Sequence, residues 1–347
     1  MTTEADSNQG QQEHDSREQR RSTSAAHKAE AAENRVKLHV ESSGSRGFIF
    51  DLYDEMSNAS FIHFRLIQKY QKQERRKLIV YHALLAHPGS IITNEDSEML
   101  ESILRSCDMS GFQGLDLMVH SPGGLPEAAG DIIGVCRTHS TSFRVIVPNM
   151  AMSAATVLAM GSDRIVMSPT SKLGPIDPQM VYQTKEGPLM RAAKSFIDAF
   201  TSLVGQANAL AGQNQPIAAH LHLLTKQDPS WIVECVRARN ATEALACRVL
   251  KNGMLSSKSA EEIRVVVKSF LEKGDIESHG SRITPEEART MGLQIELVAR
   301  DSDYWKLVWE LYVRADHYTR QKALAKYICA DAGGLEVQVR QLALGGT

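Results

Sequence analysis

A chain of 347 residues with 42% hydrophobic content is long enough to bury a full core, so one main domain with appendages is the expected organisation. Its formal net charge of −2 argues against a protein that binds nucleic acid through its overall charge. Cys107, Cys136, Cys235, Cys247 and Cys329 are odd in number and never spaced Cys-x-x-Cys, which excludes an evident disulfide framework or zinc site and makes a reducing, cytoplasmic setting the simplest.

Residues 1–34 are rich in Glu, Gln, Ser, Arg and Ala without an apolar core run and read as a disordered tail. No signal-peptide pattern is visible, and no apolar run reaches the roughly 20 residues that span a bilayer. Residues 35–76 read as a helical N-terminal arm. Its basic end, Lys69, Lys72, Arg75, Arg76 and Lys77, fits a solvated helix face better than a nucleic-acid or anionic-lipid site, since no aromatic stacking pattern accompanies it.

From Leu78 strands and helices alternate. Leu78 to Leu85 predicts a strand, Asp96 to Ser106 a helix, Leu115 to Val119 a strand, Pro126 to Arg137 a helix and Phe143 to Val147 a strand. This order predicts an α/β fold with a largely parallel sheet, its strands buried on both faces and therefore continuously apolar. After Gly187 the pattern predicts mostly helix. One helix begins near Pro188, others cover Pro216 to Lys226 and Trp231 to Lys251, and Tyr304 to Ala315 with Lys322 to Cys329 form a C-terminal helical segment over 301–347. Trp305, Val308, Trp309, Tyr312 and Val313 belong to a core or a subunit contact.

Between these elements lies a candidate site. Ser121-Pro122-Gly123-Gly124 follows one strand, and Pro148-Asn149-Met150-Ala151-Met152 leads from the next strand to Ser153 and the small residues Ala154, Ala155 and Thr156. Glycines present bare backbone N–H groups, and a helix start adds unpaired N–H groups and partial positive charge. Gly123 or Gly124 and Ala154 could thus supply the two donors of an oxyanion hole beside a nucleophilic Ser153. Pro-Gly-Gly is also an ordinary turn, and serine an ordinary helix cap.

The ordered cluster of Ser121-Pro122-Gly123-Gly124, Ala151-Met152-Ser153-Ala154-Ala155, Asp163-Arg164-Ile165-Val166-Met167, Leu173-Gly174-Pro175-Ile176-Asp177-Pro178-Gln179 and, further on, Ile283-Thr284-Pro285-Glu286-Glu287-Ala288 resembles the serine dehydrogenase proteinase family. That family is related to signal peptide peptidase A within the Clp protease and crotonase superfamily. The resemblance covers about residues 77 to 300. It implies a spiral of βα units, a serine endopeptidase acting on peptide or protein substrates through a Ser153 acyl-enzyme, no cofactor or metal, and a homo-oligomer.

A serine needs a positioned base. The histidine of the Clp protease subunit would fall near Ile176 or Asp177, yet no histidine occurs between His139 and His220. Signal peptide peptidases use a lysine instead, which implies a choice among Lys172, Lys185 and Lys194 here. Lys185 sits in a polar run and reads as solvated. Lys194 lies 41 positions after Ser153, with Met190 at i−4 and Ile197 at i+3, on the border of the stripe expected from a helix starting near Pro188. Such a lysine can also simply snorkel to water. His279, with Asp275 or Glu277 to orient it, is the competing base. It stands just before Thr284-Pro285-Glu286-Glu287, a capping box with proline at the first helical position. A crotonase-like acyl-coenzyme A enzyme, which needs the paired donors but no serine nucleophile, and a non-catalytic scaffold of the same fold are the alternatives.

Overall fold

The computed structural model describes residues 59–338 apart from 86, 88, 185–186, 277–279 and 332. The expected tail over 1–34 lies outside the described residues, as do Lys185, Glu277 and His279. Of the expected N-terminal arm over 35–76, residues 35–58 also lie outside the described residues, and helix α1 (Ala59–Glu74) covers most of the remainder. Then follow β1 (Lys77–Ala83), α2 (Asn94–Ser106), β2 (Leu115–His120), α3 (Pro126–His139), β3 (Phe143–Val147), β4 (Met150–Ala151), α4 (Ala154–Met160), β5 (Arg164–Met167) and β6 (Lys172–Leu173). The chain continues through β7 (Gln179–Thr184), β8 (Gly187–Ala192), α5 (Ala193–Gly212), α6 (Ala218–Leu224), α7 (Pro229–Asn252) and α8 (Ala260–Ile276). It ends with α9 (Pro285–Thr290), β9 (Ile295–Leu297), α10 (Asp303–Gln321), β10 (Lys326–Ala330) and β11 (Gly333–Val337).

The main sheet has the order β11-β10-β1-β2-β3-β5-β9. From β1 to β9 all neighbours are parallel, and β10 and β11 extend the β1 edge antiparallel. The expected α/β fold with a largely parallel sheet is what forms. Every residue of β1 and β2 is buried, which explains the apolar runs 78–81 and 117–119 within them. Ile79, Tyr81, Leu117, Val119, Val145 and Val147 pack into one core with α2, α3, α4, α7 and α8. On the other face α10 packs against β1 and β10 and buries Trp305, Val308 and Tyr312. Trp309 and Val313 of the same helix stay exposed.

A second, shorter ladder runs beyond the ends of the main strands. Ile92 bridges Gly124, Ser121 bridges Ala151, β4 pairs with β6, and Leu173 bridges Ile283. Each βα unit therefore contributes a main strand and then one residue or two to this ladder, which places Ser121–Gly124, Ala151 and Leu173 side by side.

Two expectations need correction. Residues 188–192 do not open a helix: β7 and β8 form a hairpin with Gln179 opposite Ala192 and Thr184 opposite Gly187, and α5 starts only at Ala193. Lys322 to Cys329 is not helical either, because Tyr327, Ile328 and Cys329 gain a partner strand in β1. Pairing with an edge that would otherwise stay open outweighs local helix preference.

Candidate active site

Ser153 sits between β4 and α4 with φ 51° and ψ −121°, a backbone conformation that L-residues other than glycine rarely adopt. Such strain costs on the order of 1–3 kcal/mol and persists only where neighbours enforce it. The neighbours are visible. Met152 N–H donates to Ser121 O at 3.0 Å and Ser121 N–H to Met150 O at 3.1 Å, which ties the approach to Ser153 to the end of β2. On the far side Thr156 Oγ1 donates to Ala151 O at 2.8 Å and bonds Gly174 through both its O and N, each at 3.0 Å. Thr156 is fully buried, so one hydroxyl clips the serine turn to the β6 loop.

Gly123 lies directly against the serine. A Cβ built on it would stand 2.5 Å from Met152 O, 2.7 Å from Ser153 Cβ and 3.0 Å from Ala154 N, and its φ is +97°. Only glycine fits there. Gly123 N–H is taken up by Ser121 Oγ at 3.1 Å. Its carbonyl accepts from Ile92 N–H at 2.8 Å, and Leu125 N–H donates to Ile92 O at 3.0 Å. Because the peptide unit is planar and trans, a Gly123 carbonyl aimed at Ile92 directs Gly124 N–H the opposite way. Among the described residues nothing accepts a hydrogen bond from Gly124 N–H or from Ala154 N–H. Of the two glycines, Gly124 is thus the one with a donor to spare. Ser153 Oγ likewise has no hydrogen-bond partner among the described residues and is only half-buried.

Lys194 is the second residue of α5. Ala193 N–H donates to Pro178 O at 2.9 Å, which fixes the helix start to the loop beyond Gly174. The buried stripe expected around Lys194 is absent: Met190 lies on β8 and is 65% exposed, and only Ala193 and Ala207 of α5 are buried. Lys194 Nζ pairs with Asp198 at 2.5 Å, and its side chain is 34% exposed. The capping box ahead of α9 forms as expected, with Glu287 N–H donating to Thr284 Oγ1 at 3.2 Å and Thr284 N–H to Glu287 Oε2 at 2.8 Å. Ile283 exchanges backbone hydrogen bonds with Leu173, which draws the segment after residue 279 to the β6 loop.

A histidine pair not singled out in the sequence lies behind the glycine turn. His82 and His120 end β1 and β2 in register, with ring centroids 5.0 Å apart. His120 Nδ1 accepts from Met150 N–H at 3.4 Å, and Tyr312 stacks edge-on at 5.0 Å. Burial pushes the His120 pKa down to about 3 and lowers that of His82, so both are neutral at pH 7. His82 Nε2 faces Asp316 Oδ1 at 3.5 Å, too far for a good hydrogen bond. Only three-dimensional adjacency reveals this pair, since 38 positions separate its members in the chain. Among the described residues no group of three or more His, Cys, Asp or Glu could hold a metal ion, and no helix is long and apolar enough to cross a membrane.

Comparison with known proteins bears on this geometry. Two uncharacterised proteins of Methanocaldococcus jannaschii are similar, one 42% identical over 89 residues and the other 32% identical over 143. These matches take in 26% and 38% of this chain but only 30% and 48% of the relatives, so the chain spans less than half the length of either. Among solved structures, a mutant of the 1510-N membrane-bound stomatin-specific protease is 18% identical, with a TM-score of 0.38, over 65% of this chain and 80% of its own. Residues 71–195 match the model of the ClpP-like SDH-type serine proteinases. That stretch, which is similar to the family, runs from the end of α1 through the glycine turn and Ser153 to Lys194.

Proposed function

We propose that this protein is a serine peptidase that cleaves peptide or protein substrates through a Ser153 acyl-enzyme. The observation that carries the reading is the strained Ser153 turn packed on Gly123, flanked by two backbone N–H groups, of Gly124 and Ala154, that have no partner among the described residues. In this reading Ser153 Oγ attacks the scissile carbonyl, and the developing oxyanion takes up those two donors. The tetrahedral intermediate collapses with loss of the amine, and water then releases the acyl group.

Lys194 is the proposed base, as the family resemblance implies. Its place in the first turn of α5, next to a residue anchored on Pro178, supports this. Its pairing with Asp198 must open for Nζ to reach the serine proton, and entry of substrate along the hairpin is the natural trigger. His279 remains the alternative base. Assembly with further copies is part of the reading. Val181, Met190, Leu221 and Leu223 of β7, β8 and α6 stand exposed, and no residue of α6 is buried within the described chain.

A fluorophosphonate probe tests the nucleophile. The protein should be labelled at Ser153, and Ser153→Ala should take no label while melting as the parent does. Lys194→Ala should slow labelling by about a hundredfold to ten-thousandfold. Lys194→Arg should be as poor, because guanidinium stays protonated. A Lys194→Ala variant that reacts normally beside an inert His279→Ala would transfer the role of base to His279.

A further inference from the structure

The glycine turn is held from behind by a buried ion pair of which only one partner, Asp96, lies within the family match. Lys326 lies on β10, opposite Ala83 at the end of β1, and is 2% exposed. Its three N–H bonds have three acceptors: Asp96 Oδ1 at 2.6 Å, Asp96 Oδ2 at 2.8 Å and Ile91 O at 3.0 Å. Asp96, fully buried at the start of α2, also accepts from Thr93 N–H and from Tyr81 Oη, both at 2.9 Å. The residues on either side of Ile92 are therefore gripped by the two partners of one ion pair, Ile91 by Lys326 and Thr93 by Asp96.

Ile92 in turn sets the peptide plane between Gly123 and Gly124. Its N–H holds the Gly123 carbonyl, and its backbone would lie 2.3 Å from any Cβ at Gly124, so the two segments touch with no room for adjustment. A rotation of that plane swings Gly124 N–H, the donor without another partner, out of its direction. Misplacing a pre-aimed donor by an ångström is costly in the transition state and nearly free in the ground state.

We propose that Lys326, acting with Asp96, is a positioning residue for the oxyanion hole: the pair clamps Ile91–Thr93, and through Ile92 it fixes the direction of Gly124 N–H. The clamp rests on the serine peptidase reading and adds to it a residue from a strand far outside residues 71–195. Lys326 touches neither the nucleophile nor the substrate in this account. Its effect is on the chemical step alone.

The test uses the full chain and a fluorophosphonate probe, separating reversible occupancy (KI) from the phosphonylation step (kinact). Lys326→Met removes the tether on Ile91 but strands the Asp96 charge. Lys326→Met combined with Asp96→Asn removes the charge as well, while an amide oxygen remains for Thr93 N–H and Tyr81 Oη, so the double variant isolates the tether. At a temperature where circular dichroism shows it fully folded, the double variant should lose about tenfold to a hundredfold in kinact, with KI within about threefold of the parent. Asp116→Asn, which disturbs a buried ion cluster at the opposite end of the sheet, should lower the melting temperature but leave kinact within about twofold of the parent. An unchanged kinact in the folded double variant overturns the clamp, and so does a loss carried by KI. An equal kinact loss in Asp116→Asn also overturns it, since general loosening would then explain the effect. Parent protein that takes no label at Ser153 overturns the peptidase reading itself, a result separable from all of these.

Discussion

The two ends of the parallel sheet each bury a carboxylate, and the contrast between them separates what holds this molecule together from what aims its chemistry. At the end where the strands begin, Asp116 of β2 accepts from Arg76 Nε at 2.6 Å and from Arg144 at 2.9 and 2.6 Å, and Tyr70 Oη completes the set. These contacts tie α1, β2 and β3 together and reach no part of the glycine turn. At the end where the strands finish, Asp96 and Lys326 make a pair of similar burial whose remaining hydrogen bonds go to Tyr81 Oη and to the backbone of Ile91 and Thr93. In the first cluster Arg76 also reaches the backbone of Leu115 and Ser142, but only the second holds the loop that carries Ile92. Burial and ion pairing alone thus do not mark a functional cluster. What it grips does.

Breaking the stabilising end should have the largest effect on stability. Asp116→Asn removes the buried carboxylate that both arginines share, leaving Arg144 only the more distant Glu74 and Glu296, and should cost about 3–5 kcal/mol of unfolding free energy, read by denaturant titration. Labelling of Ser153 in the surviving folded protein should continue. Loss of labelling in step with structure at intermediate denaturant is expected, but loss ahead of it would erase the distinction between the two ends.

The reacting end should answer in the opposite manner. Gly124→Ala places a Cβ against the Ile92 backbone and turns away a donor, so the rate of Ser153 modification should fall by about a hundredfold to a thousandfold, as for removal of one oxyanion donor. An active Gly124→Ala protein would show that Gly124 N–H is not one of the two donors.

Acid sharpens the comparison with a smaller effect. Burial lowers the pKa of His63 to about 4 and that of His120 to about 3, against the usual 6.5, and His82 moves in the same direction. A depressed histidine is neutral in the folded state, so the unfolded chain binds more protons as pH falls below 6.5. Stability is therefore full above that value and declines toward the folded pKa values, by up to about 2 kcal/mol for each of His63 and His120 at pH 5. Thermal melts from pH 8 to pH 4.5 should show this loss, and His120→Asn should flatten it. A melting temperature independent of pH over that range would mean that these rings accept protons without cost.

Much of this was legible in the chain. The β1, β2 and β3 runs are apolar without alternation because both faces of a parallel sheet are covered, and β3 begins and ends where its residues predict. The Thr284 capping box and the small residues after Ser153 were equally readable, since each is a local signal. The hairpin of β7 and β8 was not. Leu189, Met190, Ala193 and Ile197 are apolar at helical spacing, while Val181 and Met190 are exposed, so the alternation that betrays a half-buried strand is missing. The ion pair of Asp96 and Lys326 was beyond reach for another reason: its members are 230 positions apart and meet only because β10 closes the sheet edge. The strain at Ser153 belongs to the same class, for it is imposed by Ser121 and Gly123 of the glycine turn and by Thr156, which ties α4 to Gly174.

That closing strand also gives the molecule a sense of time. A ribosome that has translated the first two hundred residues has already made Ser153, the glycine turn and Lys194, yet Lys326 is still to come. Until β10 docks, Asp96 lies beside an open sheet edge and nothing tethers Ile91, so the donor at Gly124 is unaimed. On the proposed reading, a nascent chain that holds Ser153, Gly124 and Lys194 but not yet β10 would be a poor hydrolase, and competence would arrive only once β10 has left the exit tunnel.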